Sequence, residues 1–431
     1  MAFIQKGVRN ILQRNPHDVV FLSALRTPVT RAKKGGLRDA YDHELLGAVG
    51  LTQLCMDRIS IANMLKVLKA TISKFPNLDP AKIDEITIGT VLAELGGSKA
   101  GRMAANHVGI PTTTSFSTVN RACASGLSAI TSIANSIAVG QIEVGIAGGM
   151  ESMTRNYGSR AIPTELWPEM KDSPVKQARD CIMSMGITSE NVAERYGVSR
   201  ADQDAFAAQS QKRAAAAQAA GRFDAEIVPV TTRWIEPENP ETVKEVTVTK
   251  DDGIRANTTI EKLATMKPAF KSDGTSTAGN SSQVSDGASA ALMMRRSTAT
   301  ALGLESHIIG KWAGTQVVGC QPDEMGVGPA LAIPKLLNYT GLETSDVQLW
   351  EINEAFASQA LYCVRKLGLE NKMDRVNPNG GAIALGHPLG ATSGRMLATL
   401  LSEMERSGEQ VGVLSKCIGT GMGMASLIVR E

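Results

Sequence analysis

Ser115-Phe116-Ser117-Thr118-Val119-Asn120-Arg121-Ala122-Cys123-Ala124-Ser125-Gly126-Leu127 opens the stretch that decides the fold. Ser115 to Asn120 reads as a short strand, and Ser125 to Val139 as the helix that follows it. Ile142 to Ala147 then reads as a buried strand, ended by Gly148-Gly149. Strand, helix and strand in succession is the signature of an α/β layered fold. Upstream, Val19 to Leu25 is a buried strand and His43 to Val49 starts a helix. Ile83 to Val91 reads as helix end, turn and strand. Downstream, Thr154 to Ala269 changes texture. It is more polar, with an alanine-rich helix (Arg200 to Ala220) and a proline-bearing stretch (Trp234 to Pro240), and we expect an inserted lobe. Gly287 to Arg295 returns as a strand. From Ile308 the α/β rhythm resumes with helix Glu354 to Leu367, a glycine-rich loop at Gly380 to Gly390, helix Arg395 to Glu405, strand Val411 to Leu414 and strand Ala425 to Val429. This rhythm is compatible with two similar α/β halves.

Composition removes several function classes. The 431 residues suit about two to three domains. Net charge is only +2 and aromatic residues number 8 Phe, 4 Trp and 5 Tyr, which argues against nucleic-acid binding. The charge-free run Ala122 to Ile142 is long enough for a membrane span. Its seven Ser, Thr, Asn and Gln residues favour a buried helix of a soluble protein instead. Six cysteines without CxxC spacing, and with no histidine cluster beside them, speak against a disulfide framework or a zinc site. Residues 1–17 carry Lys6, Arg9 and Arg14 and no acid until Asp18. They read as a candidate targeting segment or as a short basic helix. The C-terminus, Val429-Arg430-Glu431, is not a peroxisomal tripeptide.

Four positions invite chemistry. Cys123 follows a strand and precedes a helix, whose free N–H groups and dipole favour thiolate. An inert buried cysteine is the commoner outcome for such a residue. Cys417 leads into Gly419-Thr420-Gly421, either an anion-binding nest or a plain turn. His387 sits in Gly380-Gly381-Ala382-Ile383-Ala384-Leu385-Gly386-His387-Pro388-Leu389-Gly390, held for proton transfer to a cysteine or simply structural. Asn353 suits a helix N-cap, or else a water or carbonyl oxygen at a reaction centre.

Together these segments resemble one family. Asn120-Arg121-Ala122-Cys123-Ala124-Ser125-Gly126-Leu127, Asn353-Glu354-Ala355-Phe356-Ala357, Gly381 to Gly390 and Cys417-Ile418-Gly419-Thr420-Gly421-Met422-Gly423 stand in the order and spacing of the thiolases, from about Val19 to the C-terminus. The resemblance implies two βαβαβ halves in an α/β/α/β/α arrangement. The halves would be 18–302, carrying a CoA-binding loop domain at about 154–269, and 303–431. It implies cleavage of 3-ketoacyl-CoA by CoA in fatty acid β-oxidation, through an acylated cysteine. Cys123 would be the nucleophile, His387 its base and Cys417 the second acid/base. Asn353, through a water, would form one oxyanion hole with His387. The N–H groups of Cys123 and Gly419 would form the other. Ala278 and Ser282, in Thr277-Ala278-Gly279-Asn280-Ser281-Ser282, and Met185 would contact the pantetheine arm, with Arg255 near the nucleotide. CoA is then substrate and no metal or resident cofactor is implied. A homodimer is expected. Similarity is greatest to fungal-type peroxisomal members, so a peroxisomal location is expected, although Arg9 and His17 do not fit the spacing of the N-terminal peroxisomal signal.

Ser184 stands where short-chain biosynthetic relatives have histidine, which favours the degradative reading over acetoacetyl-CoA synthesis. A ketosynthase-like enzyme would use two histidines rather than Cys123 with Cys417, and a non-catalytic CoA- or lipid-binding protein would lack one of the four groups. Ala122 and Thr392-Ser393-Gly394-Arg395 depart mildly from the family pattern. The larger departure is Gly50 to Val67. Removing it joins Val49 to Leu68 and puts Leu45, Leu46, Val49, Leu68, Ile72 and Phe75 at helical spacing. We hypothesise a translated intron or a wrong gene model there, with a genuine insertion as the rival. A tryptic peptide across a Val49–Leu68 junction supports the first, and one from inside the stretch sinks it.

Overall fold

A computed structural model describes residues 6–41, 67–163 and 165–431. The start of the helix read at His43 to Val49, and residues 50–66 of the suspected insertion, lie outside the described residues. The first strands are β1 (Val19–Arg26), β2 (Thr30–Arg31), β3 (Glu85–Gly89), β4 (Ser115–Val119) and β5 (Val144–Ser152). β6 (Val230–Ile235) and β7 (Val243–Val248) form a separate hairpin. β8 (Ser285–Arg295), β9 (Gly310–Gly319), β10 (Leu349–Ile352), β11 (Val411–Ile418) and β12 (Met422–Arg430) complete the set. The principal helices are α1 (Val67–Ser73), α2 (Ser98–His107), α3 (Ser125–Ala138), α4 (Met185–Tyr196), α5 (Arg200–Ala219), α6 (Gly328–Thr340), α7 (Ala357–Lys366) and α8 (Thr392–Ser407).

The strands run in the order β10-β11-β12-β9-β1-β8-β5-β3-β4, with the two halves joined where Val19–Phe21 pair with Gly310–Trp312. Each half repeats one plan. In the first, β3 lies parallel to β4 and β5, β8 returns antiparallel to β5, and β1 pairs with β8. In the second, β10 lies parallel to β11, β12 returns antiparallel, and β9 pairs with β12. The counterpart of β4 has shrunk to one parallel bridge, Trp350 to Val376. The duplication is therefore explicit in topology although faint in sequence.

Side-chain alternation sorts the layers, because successive strand residues face opposite ways. Val20 and Leu22 of β1, with Ala288, Ala290, Leu292 and Met294 of β8, share a cluster with α1. Val19, Phe21, Ala291 and Met293 face the other way, onto α3 and α8, where Leu414, Ile418, Met424 and Ile428 meet them from the second half. Val413, Leu427 and Val429 pack outward against α6 and α7. The result is helices, sheet, helices, sheet, helices, with α3 and α8 in the middle layer. Burial there explains the charge-free run Ala122 to Ile142. No helix of the described residues is long and apolar enough to cross a membrane.

Three boundary differences bear on the site. β5 does not stop at Gly148-Gly149 but runs on to Ser152, because those glycines serve close packing rather than a turn. β11 continues to Ile418, so Cys417 lies inside a strand and the turn follows it. The helix read from Glu354 begins at Ala357 with Phe356 at its N-cap, which removes Asn353 from that role. The stretch around Trp234 holds a hairpin that its prolines and charges concealed.

Candidate active site

Cys123 occupies the turn between β4 and α3. Ala122 before it adopts φ 42°, in the left-handed region that non-glycine residues rarely enter. Its neighbours hold it there. Asn120 Oδ1 accepts from the Ala122 N–H at 3.0 Å. Ser125 Oγ accepts from the Arg121 N–H at 2.9 Å and donates to the Ala122 carbonyl at 2.7 Å. The thiol is thereby presented at the start of a 14-residue helix, partly accessible. Burial raises its pKa. Lys416, and then the N–H groups of Gly419 and of Cys123 itself, act in the opposite direction.

His387 is buried at the far end of the glycine-rich loop. Its Nδ1 lies 2.6 Å from Thr392 Oγ1, in the first turn of α8, and its backbone N–H donates to the Gln283 carbonyl at 3.0 Å. The loop is drawn against the first half by glycines. A β-carbon on Gly126 or on Gly149 would overlap the Gly390 carbonyl oxygen, and one on Gly390 would lie 2.5 Å from the Gly89 oxygen. Glu151, at the end of β5, clamps the same place. It accepts from the N–H groups of Gly390 at 2.9 Å, Leu92 at 2.9 Å and Val91 at 3.0 Å. His387 is held well below its ordinary pKa by burial and by the cations Lys416 and Arg395, so its imidazole is neutral.

Asn353 follows β10. Its Nδ2 lies 3.5 Å from His387 Nε2, whereas its Oδ1 is buried without a hydrogen-bond partner among the described residues. A buried acceptor left open is costly unless something fills it. Next to it, Glu354 accepts from Ser210 Oγ at 2.6 Å and Asn377 Nδ2 at 2.8 Å, tying α5 to this loop. Gly381 lacks a side chain because a β-carbon there would enter the Glu354 carboxylate.

Cys417 is fully buried among Met325, Ala355 and Phe356. Its thiol points toward Gln359 Oε1 at 3.8 Å, and that oxygen also accepts the Ala355 N–H at 2.9 Å. Burial, with the neighbouring thiols adding to it, pushes the Cys417 pKa well above the ordinary thiol value. Beyond β11 the chain reverses through Thr420 (φ 74°) and Gly421 (φ 88°). A side chain at Gly421 would meet the Cys320 carbonyl oxygen at 2.5 Å. The turn carries the Gly419 N–H toward the Cys123 sulfur.

The structure thus pairs Asn353 with His387, sets Gly419 and Cys417 beside Cys123, and packs Cys417 against Ala355 and Phe356 of the Asn353 segment. Met185, first residue of α4, packs against the Cys417 group, and its sulfur lies 3.4 Å from where a Gly419 β-carbon would be. Ser282 is half-buried and joined to the Asn353 segment through its N–H to the Ala355 carbonyl at 2.9 Å. Ala278 and Arg255 are exposed on the lobe between β5 and β8. The Arg255 backbone N–H donates to Gln211 Oε1 at 2.7 Å, and Gln211 bonds the Ile383 carbonyl of the histidine loop. Sequence reasoning missed Glu151, Gln359, Thr392 and Lys416. An acid or a lysine inside an otherwise apolar strand was the available signal for Glu151 and Lys416.

Comparison with known proteins agrees with this arrangement. Residues 19–297 match "Thiolase, N-terminal domain" and residues 306–430 match "Thiolase, C-terminal domain". The chain is 48% identical over 426 residues to the peroxisomal 3-ketoacyl-CoA thiolase of Yarrowia lipolytica, covering 99% of this chain and 96% of that protein. It is 49% identical over 416 residues to the human peroxisomal 3-ketoacyl-CoA thiolase, covering 96% and 91%. The crystal structure of the dimeric peroxisomal thiolase of Saccharomyces cerevisiae superposes with a TM-score of 0.85 at 42% identity, covering 98% of this chain and all of that one. The chain belongs to the thiolase family.

Proposed function

We propose that this chain is a degradative 3-ketoacyl-CoA thiolase that cleaves 3-ketoacyl-CoA with CoA, giving acetyl-CoA and a shortened acyl-CoA. The observation that carries the reading is a pair of thiols in different settings. Cys123 is half-buried at a helix start, where the Gly419 N–H and its own N–H meet it, whereas Cys417 is fully buried inside a strand.

Neutral His387 takes the Cys123 proton, and the thiolate attacks the 3-carbonyl of the substrate. The oxyanion that forms is met by fixed N–H donors at Cys123 and Gly419, or by His387 with a water on Asn353, whose open Oδ1 supports that part. The bond between C2 and C3 breaks and the acetyl-CoA enolate takes the proton of Cys417. CoA then gives its thiol proton to the Cys417 thiolate and attacks the acyl-cysteine. Cys123 leaves and recovers its proton from His387. Every proton returns, so no resident cofactor is required. CoA is substrate, with Met185, Ala278 and Ser282 along the pantetheine arm and Arg255 near the nucleotide. The units of this reading are 18–302, with its loop domain at about 154–269, and 303–431. A homodimer in the peroxisome is supported by the names of the relatives above.

The test is a chain-length series of 3-ketoacyl-CoAs with CoA, beside Cys123→Ala. Turnover of medium or long substrates, lost in the variant, is expected. Turnover confined to acetoacetyl-CoA would move the assignment to the biosynthetic activity.

A further inference from the structure

Lys416 is a buried cation at this site that the mechanism leaves unused. It lies inside β11, fully buried, and its Nζ has no hydrogen-bond partner among the described residues. Strand alternation sends it away from Cys417 and into the middle layer with Leu414 and Ile418. Its cross-strand partner confirms the side. Lys416 pairs with Met424, whose sulfur accepts from Ser128 Oγ at 3.7 Å in the first turn of α3, the helix that Cys123 precedes. A buried ammonium normally finds a carboxylate. Here Glu351, from β10, is taken by Arg395 of α8 at 3.2 Å, and Arg395 itself repels a second cation.

We propose that Lys416 is a positioning residue for the nucleophile: a buried cation whose charge stabilises the Cys123 thiolate across the middle layer. The proposal rests on the reading of Cys123 as the nucleophile. Ala122 and Ala124, on either side of Cys123, pack in the same cluster as Leu414 and Ile418, two residues either side of Lys416, so the lysine and the nucleophile turn share the middle layer. The charges that act on Lys416 are those of Cys123 from the β4–α3 turn, Arg395 from α8 and Cys417 on its own strand, and Lys416 acts in turn on His387 of the loop. Glu151, from β5, opposes ionisation of Cys123. Burial lowers the Lys416 pKa to about 7, while a thiolate at Cys123 raises it. Ammonium and thiolate therefore support each other, and the same ammonium keeps a proton off His387. The anions that can form beside Lys416 are the Cys123 and Cys417 thiolates, and Cys417 holds its proton far above neutrality.

The test is the pH profile of iodoacetamide alkylation, read by mass on the Cys123 peptide of the full chain, for wild type and Lys416→Met, an apolar side chain of similar length. At pH 7 the variant is expected to react about tenfold more slowly, its midpoint moving up by about one pH unit. Coincident profiles in a folded variant would overturn the proposal. Should Lys416→Met not fold, Lys416→Gln, which keeps a polar chain but no charge, takes its place. An upward shift of the Cys123 midpoint relative to wild type supports the proposal, and a coincident profile overturns it. Thiolysis assayed on the alkylated wild type separates the two readings. If activity survives full alkylation of Cys123, the nucleophile assignment fails. If activity is lost but the profiles coincide, only the role of Lys416 fails.

Discussion

Gly149 and Gly390 are in contact across the two halves: a β-carbon on Gly149 would overlap the Gly390 carbonyl oxygen. One glycine lies in a central strand and the other three residues after His387, so this contact fixes how far the histidine stands from the Cys123 turn. Gly149→Ala must push the loop away, since the obstacle is backbone. We expect a loss of about 1–3 kcal/mol in stability, typical of overpacking, and a larger relative loss of kcat than of stability. Denaturant unfolding beside steady-state thiolysis checks it. Unchanged kcat in a folded variant would show that the loop tolerates displacement.

Cys417→Ala removes the proton donor to the enolate and leaves Cys123 intact. Thiolysis is expected to fall by about a hundredfold or more, the usual scale for a general acid. Alkylation of Cys123 should continue at a rate close to that of wild type, which separates the two thiols in one preparation.

Gln359 Oε1 serves both the start of α7 and the Cys417 thiol. Gln359→Ala should cost about 1 kcal/mol, as for a lost helix cap. It should also lower kcat about tenfold, with KM little changed, through a misplaced Cys417. A loss confined to stability would restrict Gln359 to capping.

His387 is depressed in the folded state, so the unfolded chain binds its proton first as pH falls. Stability contributed by the neutral imidazole is present above about 6.5 and lost as pH drops from there toward the lowered folded pKa. Between pH 6.5 and 5.5, wild type should lose about 1 kcal/mol more than His387→Asn. Urea unfolding of both proteins at the two pH values reads the difference.

The nucleophile turn was legible because a strand, a cysteine and small helix-opening residues are adjacent in sequence. The second half was legible from the same rhythm. Two things were hidden. Gly148-Gly149 looked like a strand end because glycine normally punctuates, and its partner Gly390 is remote in the chain. Asn353 looked like a cap, because nothing local says that the helix waits until Ala357. Glu151 and Glu354 drew no attention as acids, since their partners Gly390, Leu92, Ser210 and Asn377 come from other segments. Local pattern thus gave the elements, and long-range packing decided where they stop and which polar groups they bury.

The middle layer has a consequence for how this chain can be divided. Leu127, Ile130 and Ile133 of α3, with Leu397, Leu400 and Met404 of α8, form one apolar body drawn from both halves. Cutting the chain near residue 303 would leave each fragment with a bare greasy helix face and an unsatisfied strand edge at β1 or β9. The two repeated halves are therefore not separable parts. Fragments expressed alone should aggregate, co-expressed fragments should find each other, and the intact protein should melt in a single step.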